Sequence, residues 1–217
     1  TRLNYTDRIQ YWVNQGYVVL AVNNRGSSGY GKTFYKADDL KHGDADLKDC
    51  IASKEFLINT GFVAADKIGI MGGSYGGYMV MAALAFAPEE FAVGVNYFGV
   101  TNWLRTLRSI PIWWEASRNA LYTELGNPET DSLALYNKSP LFFAHLITKP
   151  FIVFQGANDP RVLQIESDEI VAAARNNNIP VEYIIFPDEG HGFSKKVNNI
   201  EASQKTLEFL DKYLKGS

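Results

Sequence analysis

The run Ile68-Gly69-Ile70-Met71-Gly72-Gly73-Ser74-Tyr75-Gly76-Gly77-Tyr78 carries an apolar stretch straight into glycines around one serine. A hydroxyl in that G-x-S-x-G setting, with a strand before it and a helix after it, is placed to act as a nucleophile at a tight turn. The spacing predicts a strained backbone at Ser74, and a close approach that a side chain at Gly72 or Gly76 would block. It also sets the hydroxyl at the amino end of the following helix, where the Tyr75 amide is the natural first donor to a developing oxyanion. A glycine-rich turn can instead cradle a phosphate, but the P-loop lysine is absent and the spacing is not G-x-G-x-x-G followed by a ribose-binding acid.

A serine needs a base to take its proton, and the base needs a third group to hold it. The search for the base is short, because the chain has three histidines. His42, in Lys41-His42-Gly43-Asp44, and His145, in Phe142-Phe143-Ala144-His145-Leu146, read as surface or packing residues. His191 lies between glycines in Asp188-Glu189-Gly190-His191-Gly192-Phe193, directly after an apolar run, where a loop can carry the imidazole close to another backbone. Asp159 falls between Ser74 and His191 in chain order and also follows a buried strand pattern, so it is the candidate orienting acid. Asp188 and Glu189 stand too close to His191 in sequence to reach its far ring nitrogen. Asp131 reads as a helix cap and Asp168 as a surface helix residue.

Positioning these groups requires a sheet. Apolar runs at 17–22, 67–71, 92–97, 151–154 and 181–186 read as strands, mostly buried on both faces. Helical patterns lie between or around them at 5–15, 44–60, 75–87, 166–177 and 200–214. The alternation argues an α/β domain with a mainly parallel sheet flanked by helices, in which Ser74, Asp159 and His191 each follow a separate strand. Residues 100–149, with Trp103, Trp113, Trp114, Pro111, Pro128 and Pro140, break the rhythm and read as a mostly helical insertion. That insertion is either a wall of a substrate pocket or an aromatic packing layer.

Composition bounds the rest. In 217 residues, 46% apolar is ample for a core, so disorder and collagen-like repeats are excluded. The formal net charge of −3, with no long run of one sign, gives no sign of a nucleic-acid or polybasic membrane surface. Cys50 is the lone cysteine, which excludes an internal disulfide and a cysteine-based metal site. The first residues lack the apolar core of a signal peptide and no apolar run approaches a bilayer span. The chain reads as soluble, with the cytoplasm favoured over other compartments.

Four segments together, Asn24-Arg25-Gly26-Ser27-Ser28-Gly29-Tyr30-Gly31, Gly72-Gly73-Ser74-Tyr75-Gly76-Gly77-Tyr78, Gln155-Gly156-Ala157-Asn158-Asp159-Pro160-Arg161-Val162 and Asp188-Glu189-Gly190-His191-Gly192-Phe193, resemble the catalytic domain of the prolyl oligopeptidase family of serine peptidases. The acylaminoacyl-peptidase and dipeptidyl-peptidase-like branches are the nearest in kind. The resemblance implies an α/β-hydrolase fold, with Ser74 as nucleophile, His191 as general base and acid, and Asp159 as the orienting acid. It implies that Arg161, two residues after the acid, binds a substrate main-chain carbonyl; pairing with Glu166 or Asp168 is the competing role for that arginine. Tyr78, Phe98, Val100 and Trp103 resemble the lining of the family's primary specificity pocket.

The pattern departs from the family at Pro160 and Leu163, and above all at the start. The family's upstream strand with a His-Gly-Gly-Pro-type oxyanion loop, and the β-propeller before it, are expected to precede this chain, so the first strands of the fold are expected to be missing from it. The implied activity is hydrolysis of peptide or acyl-amino bonds in short peptide or acyl-peptide substrates through an acyl-enzyme. No metal or organic cofactor is implied. A carboxylesterase on the same residues, and a non-catalytic fragment or binding module, remain as alternatives. An unpaired sheet edge would invite homo-oligomerisation.

Overall fold

The computed structural model describes residues 5–216, which divide between residues 65 and 66 into two compact units. In the first unit, α1 (Asp7–Asn14), α2 (Lys32–Tyr35) and α3 (Ala45–Asn59) are joined by irregular segments. Arg25, from the first of the four motif segments, is tied to α3. Its backbone N–H and guanidinium donate to the Asp49 carboxylate at 2.7–3.0 Å, and its guanidinium also donates to the Ala45 carbonyl at 2.8 Å. Burial disfavours the Asp49 charge, yet these donors hold its carboxyl below the ordinary value.

Residues 17–22 correct an expectation. They form no strand, and Val18 and Val19 stay exposed. A strand exists only through hydrogen bonds to a neighbouring strand, and among the described residues of this unit there are helices and turns alone, so the apolar run has no ladder to join.

The second unit is the α/β part. Strands β1 (Gly69–Gly73), β2 (Val93–Tyr97), β3 (Phe151–Gly156) and β4 (Val181–Phe186) lie side by side in that order, and every pairing is parallel. Parallel neighbours need long crossovers, which are supplied here by α4 (Tyr75–Phe86), α8 (Gln164–Asn176) and the segment between β2 and β3. That segment is helical, as expected for 100–149: α5 (Trp103–Arg108), a 3-10 stretch at Ile112–Ser117, α6 (Arg118–Leu125), α7 (Ser132–Asn137) and a second 3-10 stretch at Pro140–Leu146. After β4 comes α9 (Lys196–Leu210).

Alternation along β3 divides the core. Phe151 and Val153 pack with Val80, Met81 and Leu84 of α4 and Ile170, Val171 and Ala174 of α8. Phe154, pointing the other way, stacks on Tyr97, whose hydroxyl pairs with Thr206 of α9 at 2.7 Å. Helices therefore cover both faces, which is why β3 is buried throughout while the outer strands β1 and β4 are half-exposed. From Gly77 to Ala85, α4 is entirely buried, as a helix that is apolar all round must be.

Candidate active site

Ser74 sits between the end of β1 and the first residue of α4, with φ 58° and ψ −118°. A non-glycine residue reaches that region only when its surroundings force it. Here its N–H is fixed to the Tyr97 carbonyl at 2.9 Å, and its own carbonyl accepts from Tyr78 N–H at 3.0 Å. The turn is tight enough that a Cβ on Gly72 would stand 2.4 Å from the Gly76 carbonyl oxygen. The expectation for Gly76 itself is corrected: a Cβ there meets nothing within 4 Å, because the crowding comes from the Gly72 side of the contact.

Loops after three strands converge on this serine. His191 Nε2 lies 2.8 Å from Ser74 Oγ, and His191 Nδ1 lies 2.7 Å from Asp159 Oδ2. An ionised carboxylate only accepts, so Nδ1 carries the ring proton and Nε2 is left to accept from the serine hydroxyl. Asp159 is 4% exposed, and its other oxygen accepts from the Arg161 and Val162 amides at 2.8 and 2.9 Å. This buried carboxylate is thus held by backbone donors on one side and imidazole on the other, the condition under which a buried charge is tolerated.

The two loops are also tied to each other. The Asn158 amide donates to the Glu189 carbonyl at 2.9 Å, and the Asn158 side chain donates to the Pro187 carbonyl at 2.8 Å. The Phe98 ring lies 4.8 Å from the imidazole and packs edge-on against Phe193. Phe98 has φ 40°, a second strained residue beside the serine.

The competing acids are elsewhere. Asp188 pairs with Lys195 and accepts from Asn198. Glu189 accepts from the Ser194 and Lys195 amides, the Ser194 hydroxyl and the Asn198 amide group, which closes the loop that follows His191. Burial works against its charge, but those donors hold its carboxyl below the ordinary range. Asp131 occupies the N-cap position of α7, and Asp168 accepts from the Tyr183 hydroxyl at 2.7 Å, so it is half-buried rather than a surface residue.

Around the serine, Tyr75, Tyr78 and Trp103 form one aromatic cluster, with Tyr78 to Trp103 edge-on at 4.9 Å and Tyr75 to Trp103 at 6.2 Å. Tyr78 is 0% exposed, and Trp103 and Val100 are buried, so they back the wall; Tyr75 and Phe98 are the half-exposed members. Arg161 pairs with neither Glu166 nor Asp168. Its guanidinium is exposed and stacks over Trp114 at 5.1 Å, while Glu166 is held by Arg105 from α5. Neither Glu166 nor Glu189 nor Trp114 stands out in sequence, since each acts through partners tens of residues away or through a turn the glycines conceal.

His145 is exposed. In the first unit, His42 is buried, with Nδ1 3.5 Å from Asp38 and 4.0 Å from Asp46. These three side chains are a group that could hold a metal ion, their ligand atoms lying within 4.8 Å of one another, although Asp46 Oδ1 already accepts from the Gly43 and Leu47 amides. Among the described residues no helix is long and apolar enough to cross a membrane.

A dipeptidyl aminopeptidase BIII from Pseudoxanthomonas mexicana is 43% identical over 209 residues, 95% of this chain and 30% of that protein. A dipeptidyl peptidase family member 6 from Caenorhabditis elegans is 42% identical over 206 residues, 94% of this chain and 28% of that protein. A solved puromycin hydrolase superposes with a TM-score of 0.88 at 25% identity, covering 95% of this chain and 31% of its own. The chain thus spans less than a third of the length of these relatives. The model of the prolyl oligopeptidase family, Peptidase_S9, matches residues 3–217, and this chain belongs to that family.

Proposed function

We propose that this chain is the hydrolase portion of a longer serine peptidase that cleaves peptide or acyl-amino bonds in short peptide-like substrates through an acyl-enzyme. The observation that carries the reading is the continuous hydrogen-bonded chain from Ser74 Oγ through His191 to Asp159. In this mechanism His191 Nε2 takes the Ser74 proton as Oγ attacks the scissile carbonyl, and Asp159 stabilises the imidazolium. The Tyr75 amide, at the head of α4, donates to the oxyanion. His191 then protonates the leaving amine, and water deacylates with the same base. Arg161, exposed and braced on Trp114, supplies a guanidinium for a substrate carbonyl or carboxylate. The names of the relatives, two dipeptidyl peptidases and a puromycin hydrolase, support an amide rather than an ester as the bond cleaved.

The test is covalent labelling of the folded protein with a fluorophosphonate, alongside turnover of an aminoacyl p-nitroanilide and a p-nitrophenyl ester. Labelling that vanishes in Ser74→Ala, together with anilide turnover, is expected. Ester turnover without anilide turnover makes the protein a carboxylesterase, and no labelling at all makes it a binding module.

A further inference from the structure

Residues 98–102, among them the buried Val100, join β2 to α5; Gly99 backs so closely onto α4 that a Cβ on Gly77 would stand 2.6 Å from its Cα, and the Trp103 ring that follows lies 6.2 Å from that of Tyr75. Backbone donors at Phe98, Gly99, Thr101, Asn102 and Trp103 end on buried groups. Phe98 N–H donates to the Phe154 carbonyl at 2.7 Å, Gly99 N–H to Asn96 Oδ1 at 2.9 Å, and Trp103 N–H to Ser139 Oγ at 2.9 Å. The Thr101 and Asn102 amides both converge on Glu166 Oε2, at 3.0 and 2.7 Å. The Thr101 hydroxyl reaches the same oxygen at 2.9 Å and the Glu166 carbonyl at 2.8 Å. On the other oxygen lie Arg105 and the Thr106 hydroxyl, each at 3.4 Å, and Arg105 also donates to Glu169 at 2.6 Å.

Glu166 is 1% exposed. Burial pushes its carboxyl above the ordinary value, against the pull of these donors. A carboxylate is a costly way to fill a core, and an apolar residue of similar volume commonly does as well for stability. What the carboxylate adds is direction: one oxygen fixes two successive amides of the loop. Its own helix is fixed too, because the next residue, Ser167, donates to Gln155 of β3 at 2.8 Å, and α8 follows the segment that carries Asp159.

We infer that Glu166 is a positioning residue for substrate selection. It sets the height of Val100 and Trp103 against Tyr75 and Ser74, and so the size of the apolar group accepted beside the nucleophile, without itself touching substrate. The inference rests on the hydrolase reading above.

The experiment uses the full-length protein, with aminoacyl p-nitroanilides carrying glycine, alanine, leucine or phenylalanine on the acyl side, and a small fluorophosphonate that reads Ser74 reactivity without filling the pocket. Glu166→Ala is expected to change the ratio of kcat/KM between bulky and small substrates by about tenfold or more, chiefly through KM, the scale on which pocket contacts discriminate. Glu166→Gln keeps an acceptor for the two amides and is expected to hold that ratio within about threefold of wild type, with labelling rates equally preserved in both variants. An unchanged ratio in folded Glu166→Ala, or labelling that falls in step with the ratio, overturns the inference. Where Glu166→Ala does not fold, Thr101→Val strips one donor from the same carboxylate and is expected to shift the ratio by about threefold; no shift overturns the inference. Absence of Ser74-dependent labelling in the wild type defeats the hydrolase reading itself, whereas intact labelling with an unchanged ratio defeats the positioning role alone.

Discussion

Gly156, the last residue of β3, and Gly190, the residue before His191, approach so closely that a Cβ on Gly156 would stand 2.3 Å from the Gly190 carbonyl oxygen and 2.7 Å from that of Glu189. Both obstacles are backbone, so they cannot swing aside as a long side chain would. The contact locks the loop that carries Asp159 to the loop that carries His191. Gly156→Ala is therefore expected to push the two apart. A displacement near 1 Å at such a site lowers turnover on the order of 10²-fold. Fluorophosphonate labelling rates and thermal melts check this; a variant that labels like wild type shows that the loops can shift together.

Asp159→Asn keeps the shape of the carboxylate but presents an amide to His191 Nδ1. The imidazole would then favour the tautomer with its proton on Nε2, facing Ser74. A loss of about 10⁴-fold in kcat is the expected outcome on the proposed mechanism. Anilide kinetics at neutral pH measure it. A loss below about tenfold would assign the orienting role to another group.

Glu189 predicts a pH dependence. Its folded carboxyl lies below the ordinary value of 4.5. Between the two values the unfolded chain binds more protons, so the stabilisation is fully present above the ordinary value and is lost as pH falls through the folded one. Glu189→Gln should lower the melting temperature near pH 7 and flatten its decline between pH 5 and pH 3. Glu166, raised by burial, has the opposite sign: its ionisation costs stability as pH rises above the ordinary 4.5, so it adds nothing to the acid loss. Melting curves of wild type and Glu189→Gln across that range decide the matter, and parallel acid limbs would count against the clamp.

Cys50, on α3, is pushed up to about 11, first by burial and then by Asp46 and Asp49. Against its ordinary 9.0, this leaves its thiolate about 100-fold scarcer at pH 8. A thiolate of higher pKa is also the better nucleophile, so reaction with a disulfide reagent is expected to be slower by about tenfold in the native protein than in denaturant. Fast native labelling would show that α3 opens readily.

Much of the candidate site is legible in the sequence, because its members are announced by local backbone chemistry. The glycines around Ser74 announce a tight turn, and Asp159 and His191 each follow an apolar run that reads as a strand and is one, β3 and β4. Chain order and the scarcity of histidines did the rest. The helical character of 100–149 was legible too, from the absence of any strand pattern among its prolines and tryptophans.

What the sequence could not carry depends on partners far along the chain. The run at 17–22 has every local mark of a strand, yet strand formation is decided by a neighbour, and its own unit offers none among the described residues. Gly76 looked crowded by analogy with Gly72, but only three-dimensional placement says which of two glycines receives the contact. Arg161 had nearby acids in sequence and stacks instead on Trp114, while Glu166 takes its arginine from α5. The residue types and their order determined what chemistry the chain could attempt, since nucleophile, base and acid are fixed by functional group. Which carboxylates hold the loops, and how closely those loops approach, was decided by tertiary packing alone, because hydrogen bonds and van der Waals contacts act over a few ångströms and sequence distance carries no record of them.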